Sequence, residues 1–186
     1  YCNVFKRVLD KYPTSEEGYK KWRGYLEKFG LGSKLQVDMT SEIDGFVPQS
    51  TYYDKFYGQN RWNGHTIISL AIGQGELGVT PIQMANFCAI LANRGWWYAP
   101  HIIKEIDGEA LYDSTYSIKH NTDIEKRHYE QVVEGMYRVV ESGTGRGVRF
   151  NKDIDICGKT GTAQNPHGKD HSIFIAFAPK DNPQIA

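Results

Sequence analysis

Apolar residues recur at helical spacing in four stretches of the chain and run together in short blocks towards its end. Residues 2–12 place Val4, Phe5, Val8 and Leu9 on one side, which predicts a helix with that face inward. It opens on no capping side chain. Residues 14–30 carry Tyr19, Trp22, Leu26 and Phe29 at the same spacing. Thr14 and Glu17 stand at the offset of a capping box, and Gly30 suits the left-handed stop. Periodicity then fades. Residues 30–66 are rich in Gly, Asp, Gln, Asn and Tyr and are expected as a long irregular connection with short strands. Connections of that length in a compact domain usually serve function.

The strongest helix is GVTPIQMANFCAILANRG, residues 78–95. Thr80 fits its N-cap, Pro81 its first turn, Gln83 the capping-box partner and Gly95 its stop. It is apolar nearly all round, which predicts burial. The preceding GQGELG is expected as a structural turn. WWYAPHIIKEI then reads as a strand and DGEALYDS as a turn leading out of it. Thr122 and Glu125 are placed to cap a helix ending near Ser142, with Tyr129, Val132, Val133, Met136 and Val140 inward. GTGRG closes that helix as a flexible exit. IDIC opens a strand that continues into Lys159; SIFIAFA is a strand apolar on both faces and therefore expected to be central; PKDNP is a turn, and QIA begins a third strand. Helices followed by antiparallel strands make the fold class α+β, an antiparallel sheet flanked by helices. An uncapped start and an end three residues into a strand predict that residues 1–186 are an incomplete fragment of a larger domain.

Composition narrows the function classes. The formal net charge is zero, which favours neither nucleic acid nor an anionic membrane surface as partner. No apolar run approaches the roughly 20 residues of a membrane span. Cys2, Cys88 and Cys157 are odd in number and far apart, so they suit neither a disulfide framework nor a zinc pair; buried or partly buried thiols are expected. His167, Asp170 and His171 invite a metal reading, but Pro166 and Gly168 prevent the helical geometry it would use. A loop histidine beside the strand start is expected instead, with no metal and no cofactor. The many Tyr and Trp residues are mostly core, with some available to line a groove.

The candidate chemistry is GKTGT, residues 158–162. A phosphate-binding P-loop would need glycine at position 153, where Asp153 stands, and a helix pattern after Thr160 that does not follow. Kept extended, the run alternates: Lys159 and Gly161 on one side, Thr160 and Thr162 on the other. A twist or bulge at Gly161 would bring neighbouring groups towards one cleft. A lysine, two hydroxyls and a side-chain-free backbone position suit a ligand with a carboxylate, and a strand edge can pair with its peptide backbone. Taken by itself, the run could equally be an ordinary strand and turn.

Its flanks separate these readings. GKTGTAQ with DHSIFIAFAPKDNPQIA resembles the C-terminal part of the class B penicillin-binding proteins, in their cell-elongation branch. So do SLAIGQGELGVTPIQMANFCAILANRG and FGLGSKLQVDMTSEIDGFVP, so the similarity spans most of the chain. The family's other motifs, SxxK and SxN, are absent. None of Ser15, Ser33, Ser41, Ser50, Ser69, Ser114, Ser117, Ser142 and Ser172 has Lys at +3, or Asn or Asp at +2. By the resemblance both motifs, with the nucleophile, lie upstream of residue 1, and residues 1–186 alone do not acylate. The resemblance implies peptidoglycan D,D-transpeptidation through a serine acyl-enzyme. It implies a stem peptide ending in D-Ala-D-Ala as substrate, β-lactam antibiotics as inhibitors, cell-elongation proteins as partners, and a domain facing the periplasm from the inner membrane. By motif position, Lys159 supplies charge and proton relay, and Thr160 and Thr162 hold the terminal carboxylate. The Thr162 backbone N–H forms half of the oxyanion hole, Gly161 lets the acyl chain lie flat, and Gln164 lines the cleft. A D,D-carboxypeptidase or β-lactamase of the same superfamily, and a non-catalytic β-lactam-sensing or scaffold module, are the competing readings.

Overall fold

A computed structural model describes residues 1–110, 113–151, 153–165 and 167–186. The chain forms two units, Tyr1–Lys34 with Ser41–Thr80, and Leu35–Thr40 with Pro81–Ala186.

The first unit opens with α1 (Cys2–Leu9) and α2 (Ser15–Lys28). Thr14 Oγ1 accepts the Glu17 N–H at 3.1 Å, and Gly30 takes φ +75°, so both ends of α2 follow the sequence signals. On α1 only Phe5 and Leu9 are buried. Val4 is 65% exposed, against expectation, because the helix meets its unit through a narrow stripe. That stripe runs tight against α2 at Gly18, where a Cβ would stand 2.6 Å from the Leu9 carbonyl oxygen. A glycine that would weaken an isolated helix is here the condition for two helices to touch.

Residues 30–66 are not irregular throughout. STYYDKFY folds as α3 (Ser50–Tyr57), a helix without a side-chain cap. Two turns hold through tertiary packing rather than propensity, which is why periodicity missed them. Tyr53 is fully buried, edge-on to Tyr19 at 5.4 Å, and its hydroxyl donates to Glu76 Oε2 at 3.2 Å. The Tyr19 hydroxyl donates to the Pro48 carbonyl at 2.7 Å, and burial pushes its pKa up to about 12. Trp62 Nε1 donates to Asp54 at 2.9 Å. Thus Tyr19, Tyr53 and Trp62 are core with their polar atoms satisfied, whereas Tyr1, Tyr25, Phe46, Phe56 and Tyr57 of the same unit are exposed. GQGELG is a turn: Gly73 and Gly75 have φ +71° and +75°, and Gly78 exchanges backbone hydrogen bonds with Phe46 at 2.6 and 2.9 Å.

The second unit starts with α4 (Pro81–Ala92), which buries Gln83, Asn86, Cys88, Ile90, Leu91 and Ala92. Its first turn is not buried all round, since Pro81, Ile82 and Ala85 are exposed. Gln83, expected as a capping partner, is a core residue at 1% exposure. The expected strand over WWYAPHIIKEI is two short pieces, β1 (Trp96–Trp97) and β2 (Glu105–Ile106). Pro100 has no N–H for a ladder. The amides of Ile102 and Ile103 instead donate to the Asp38 carboxylate, at 2.9 and 2.7 Å, and hold its pKa below the usual range. β2 pairs with β3 (Glu109–Ala110) about Asp107-Gly108, both at positive φ, the pattern of a two-residue hairpin turn. Two residues of the expected turn there, Leu111 and Tyr112, lie outside the described residues, as does Pro166; Asp113 and Ser114 beyond them open a 3-10 turn, Ser114–Ser117.

β4 (His120–Asn121) pairs with β1, and Trp97 stacks on His120 at 4.2 Å. α5 (Lys126–Glu141) follows, with Glu125 rather than Thr122 at its N-cap. Thr122 is fully buried: its hydroxyl donates to the Gly95 carbonyl at 3.1 Å and meets the Tyr129 hydroxyl. It fastens the end of α4 to α5 instead of capping a helix. α5 buries Tyr129, Val133, Met136 and Val140, whereas Val132, expected inward, is 48% exposed.

β5 (Cys157–Ala163) and β6 (His171–Phe177) form an antiparallel pair, in register from Cys157↔Phe177 to Ala163↔His171. α5 packs on β5 and α4 on β6. β6 is not buried on both faces: Phe177 is buried, but His171 to Phe174 are exposed. The cover is concentrated at the Cys157/Phe177 end, and among the described residues β6 has no strand neighbour but β5. QIA contributes a single bridge, Ala178↔Ile185, rather than a strand. The class is α+β, with small antiparallel sheets and helices packed on the β5–β6 pair.

Two outcomes test this packing. Gly18→Ala should lower stability by about 1–3 kcal/mol in denaturant unfolding, because the new methyl meets Leu9 backbone rather than a side chain that can yield. The thiols should differ sharply. Cys2 is exposed, contrary to expectation, while burial pushes the pKa of Cys88 to about 11 and of Cys157 to about 12. In the native protein at neutral pH a maleimide should therefore modify Cys2 and leave Cys88 and Cys157 unmodified until the chain is unfolded.

Candidate functional site

β5 carries the site because its sequence changes character midway. Cys157 and Gly158 are buried, and from Lys159 onward the strand emerges at the surface. Gly158 is needed at the changeover: a Cβ there would stand 2.5 Å from Phe174 Cζ and 3.2 Å from Val140 Cγ2. The Phe174 ring, held by pairing opposite Thr160, lies in that space. Ile173 and Ser172 pair opposite Gly161 and Thr162.

The emergent half of β5 borders an open groove of about 380 Å³. Thr160, Gly161 and Thr162 form one wall with Ser172, Ile173 and Phe174; Thr144, Gly145, Gly147 and Val148 form the other. Both threonines and the intervening glycine share this groove, despite the strict alternation of an ideal strand. Lys159 is exposed, and its Nζ donates to the Thr160 carbonyl oxygen; it is not among the lining residues. Gln164 lies just past the end of β5, exposed and outside the lining. At Gly161 the nearest atoms to a built Cβ are 3.9 and 4.0 Å away, both in Ile173. The missing side chain there opens space towards the groove and relieves no crowding within the chain. Among the described residues β5 has β6 as its one strand partner, so an edge is available along the same run.

Sequence reasoning did not find the second wall. GTGRG, expected as a flexible exit from α5, folds back on that helix. The Gly145 N–H donates to Val139 O at 2.9 Å, and residues Arg146–Val148 form a 3-10 turn. This places Thr144 Oγ1 2.9 Å from Thr160 Oγ1. The signal lay in the two glycines of Gly143-Thr144-Gly145: a Cβ at Gly143 would stand 2.9 Å from the Val139 carbonyl. Beyond β5, the Asn165 N–H donates to Asp170 Oδ1 at 3.1 Å, and the Asn165 side chain lies 3.5 Å from His171 Nε2. These contacts join Asn165, just past β5, to Asp170 and His171 at the start of β6. Among the described residues no cluster of His, Cys, Asp and Glu is placed to hold a metal ion.

Behind the groove, charged groups tie the sheet to its helices. Arg94 reaches the Lys180 carbonyl at 3.0 Å and Glu130 at 3.4 Å, and its guanidinium lies 5.9 Å from the Phe177 ring centre. Lys180 Nζ meets Glu134 at 2.7 Å, and this ammonium, with Arg138, holds the Glu134 carboxyl below its ordinary range.

A family model described as the penicillin binding protein transpeptidase domain matches residues 2–186. The peptidoglycan D,D-transpeptidase MrdA of Acinetobacter baumannii is 33% identical over the whole chain, which spans 29% of that relative's length. Crystallised Pseudomonas aeruginosa PBP2, in complex with WCK 5153, superposes with a TM-score of 0.79 at 34% identity, over 99% of this chain and 40% of that one. PBP2 of Helicobacter pylori, in its complex with MreC, gives 0.72 at 27% identity, over 96% of this chain and 32% of that one. The chain therefore belongs to the penicillin-binding protein transpeptidase domain family.

Proposed function

We propose that the chain is the C-terminal part of the transpeptidase domain of a peptidoglycan D,D-transpeptidase. Its role there is to grip the carboxylate end of a D-Ala-D-Ala stem peptide, or of a β-lactam. The observation that carries this is the groove, which Thr160, Gly161 and Thr162 line together along an available strand edge. Hydroxyls at Thr160 and Thr162 donate to a carboxylate, and Gly161 lets the ligand backbone lie against the strand. The Thr162 N–H donates to the developing oxyanion, a contact of a kind typically worth about 2.7–4 kcal/mol of barrier. Lys159 adds positive charge and proton relay once its side chain leaves the Thr160 carbonyl, and Gln164 borders the mouth of the cleft.

The nucleophile comes from residues other than 1–186, since none of the nine serines stands three residues before a lysine. The serine attacks the carbonyl between the two D-alanines, the terminal D-alanine leaves, and the amine of a second stem peptide takes the acyl group. No described helix is long and apolar enough to cross a membrane. The whole protein is expected to be held at the inner membrane by residues outside this chain, with this domain in the periplasm and an elongation protein of the MreC kind as partner.

Two measurements test the reading. A fluorescent penicillin should label the full-length protein covalently and leave residues 1–186 alone unlabelled. Lys159→Ala should abolish the label, and an undiminished band in that variant would refute the role of the lysine. Gly161→Ala should separate folding from binding. Its methyl meets nothing closer than 3.9 Å, so unfolding should shift by less than about 0.5 kcal/mol. Acylation should slow by about tenfold or more, the effect of roughly 1.4 kcal/mol, because the methyl projects where the ligand lies.

A further inference from the structure

The second wall of the groove contributes more than shape. Thr160 Oγ1 has Thr144 Oγ1 beside it at 2.9 Å, on a loop that reaches this position only because Gly143 and Gly145 allow it to fold onto α5. A hydroxyl has one hydrogen to donate and two lone pairs to accept with. If Thr160 donated to Thr144, its hydrogen would be spent and only lone pairs would face the groove, which repel an anion. With the opposite polarity, Thr144 donates to Thr160, and the Thr160 hydrogen is free for a carboxylate. A bound carboxylate selects this second arrangement, and a donor chain that ends on an anion strengthens each bond in it.

We propose that Thr144 is a positioning residue for carboxylate recognition: its hydroxyl donates to Thr160 and thereby orients the Thr160 O–H into the groove. This rests on the proposed role of Thr160 as a carboxylate donor. Thr144 acts through Thr160 and selects ligands that carry the anion, and it leaves the acyl-transfer chemistry to other groups. The loop is well placed for this work. Gly145 is buried on Val139, with Phe174 Cε2 3.5 Å from a Cβ built there, so the loop, β5 and β6 are mutually braced around the hydroxyl pair.

The test uses the full-length protein and the second-order rate of acylation by benzylpenicillin and by its methyl ester, which lacks the anion. Thr144→Val keeps the shape and removes the hydroxyl. It should slow benzylpenicillin about three- to tenfold, the effect of one neutral hydrogen bond, and leave the ester rate unchanged. Thr144→Ser should restore the parent rate, and Thr144→Ala should match the valine variant, which guards against a packing effect of valine. In Thr160→Val the further change Thr144→Val should add nothing, since the two act as one unit. The proposal is overturned if Thr160→Val is slow but Thr144→Val matches the parent. Equal slowing of acid and ester in Thr144→Val overturns it too, because that is loss of structure and not of carboxylate recognition. If Thr160→Val itself acylates at the parent rate, the failure lies in the carboxylate-grip reading, and the role of Thr144 goes with it.

Discussion

The Phe174 ring fills the place where any side chain on Gly158 would be, and the surroundings of the groove depend on that substitution of a ring for a methyl. It lets β6 lie close across β5 while Val140 of α5 comes in from the helix side. A larger residue at position 158 would have to push the ring out of the wall or lift α5 from the sheet. Either movement would change the spacing between Thr160 and the loop that follows α5.

From that packing the site follows in order. The helices cover the Cys157/Phe177 end of the strand pair, so β5 is buried at its start and open from Lys159 on. The open half supplies two hydroxyls, a gap at Gly161 and an available edge. The loop from Gly143 to Val148 closes the far side of the groove. Arg94 and Lys180 hold the back of the sheet to α4 and α5 through backbone carbonyls and carboxylates, away from the groove. The polar chemistry of the unit is thus divided: ion pairs where rigidity is needed, and hydroxyls and bare backbone where a ligand must enter. These ion pairs are partly buried, and their value here lies in fixing position.

Much of the scaffold could be read from local signals. The ends of α2, with Thr14 and Gly30, need only neighbouring residues, and local rules describe them well. The strand that carries Lys159 was also legible, although it starts at Cys157 rather than at Ile154. Where reading failed, a contact distant in sequence had taken over. Thr122 looked like a cap and is instead a buried clasp between Gly95 and Tyr129. The amides of Ile102 and Ile103 looked available to a ladder and are taken by Asp38, 64 and 65 residues away. α3 lacks a cap and exists because Tyr53 has Tyr19 and Trp62 to pack on.

By itself, the order of residues determined the α+β class, the strand that carries Lys159 to Thr162, and the membership in a family whose motifs it holds only in part. Those properties depend on spacing along the chain, which one sequence records in full. Only the tertiary structure decided that Thr160, Gly161 and Thr162 share a groove from which the Lys159 side chain is turned away. It also decided that a loop sixteen residues upstream presents a hydroxyl to Thr160. Strand twist, helix cover and the seating of a ring over a glycine set those positions, and each arises between segments that the sequence keeps apart.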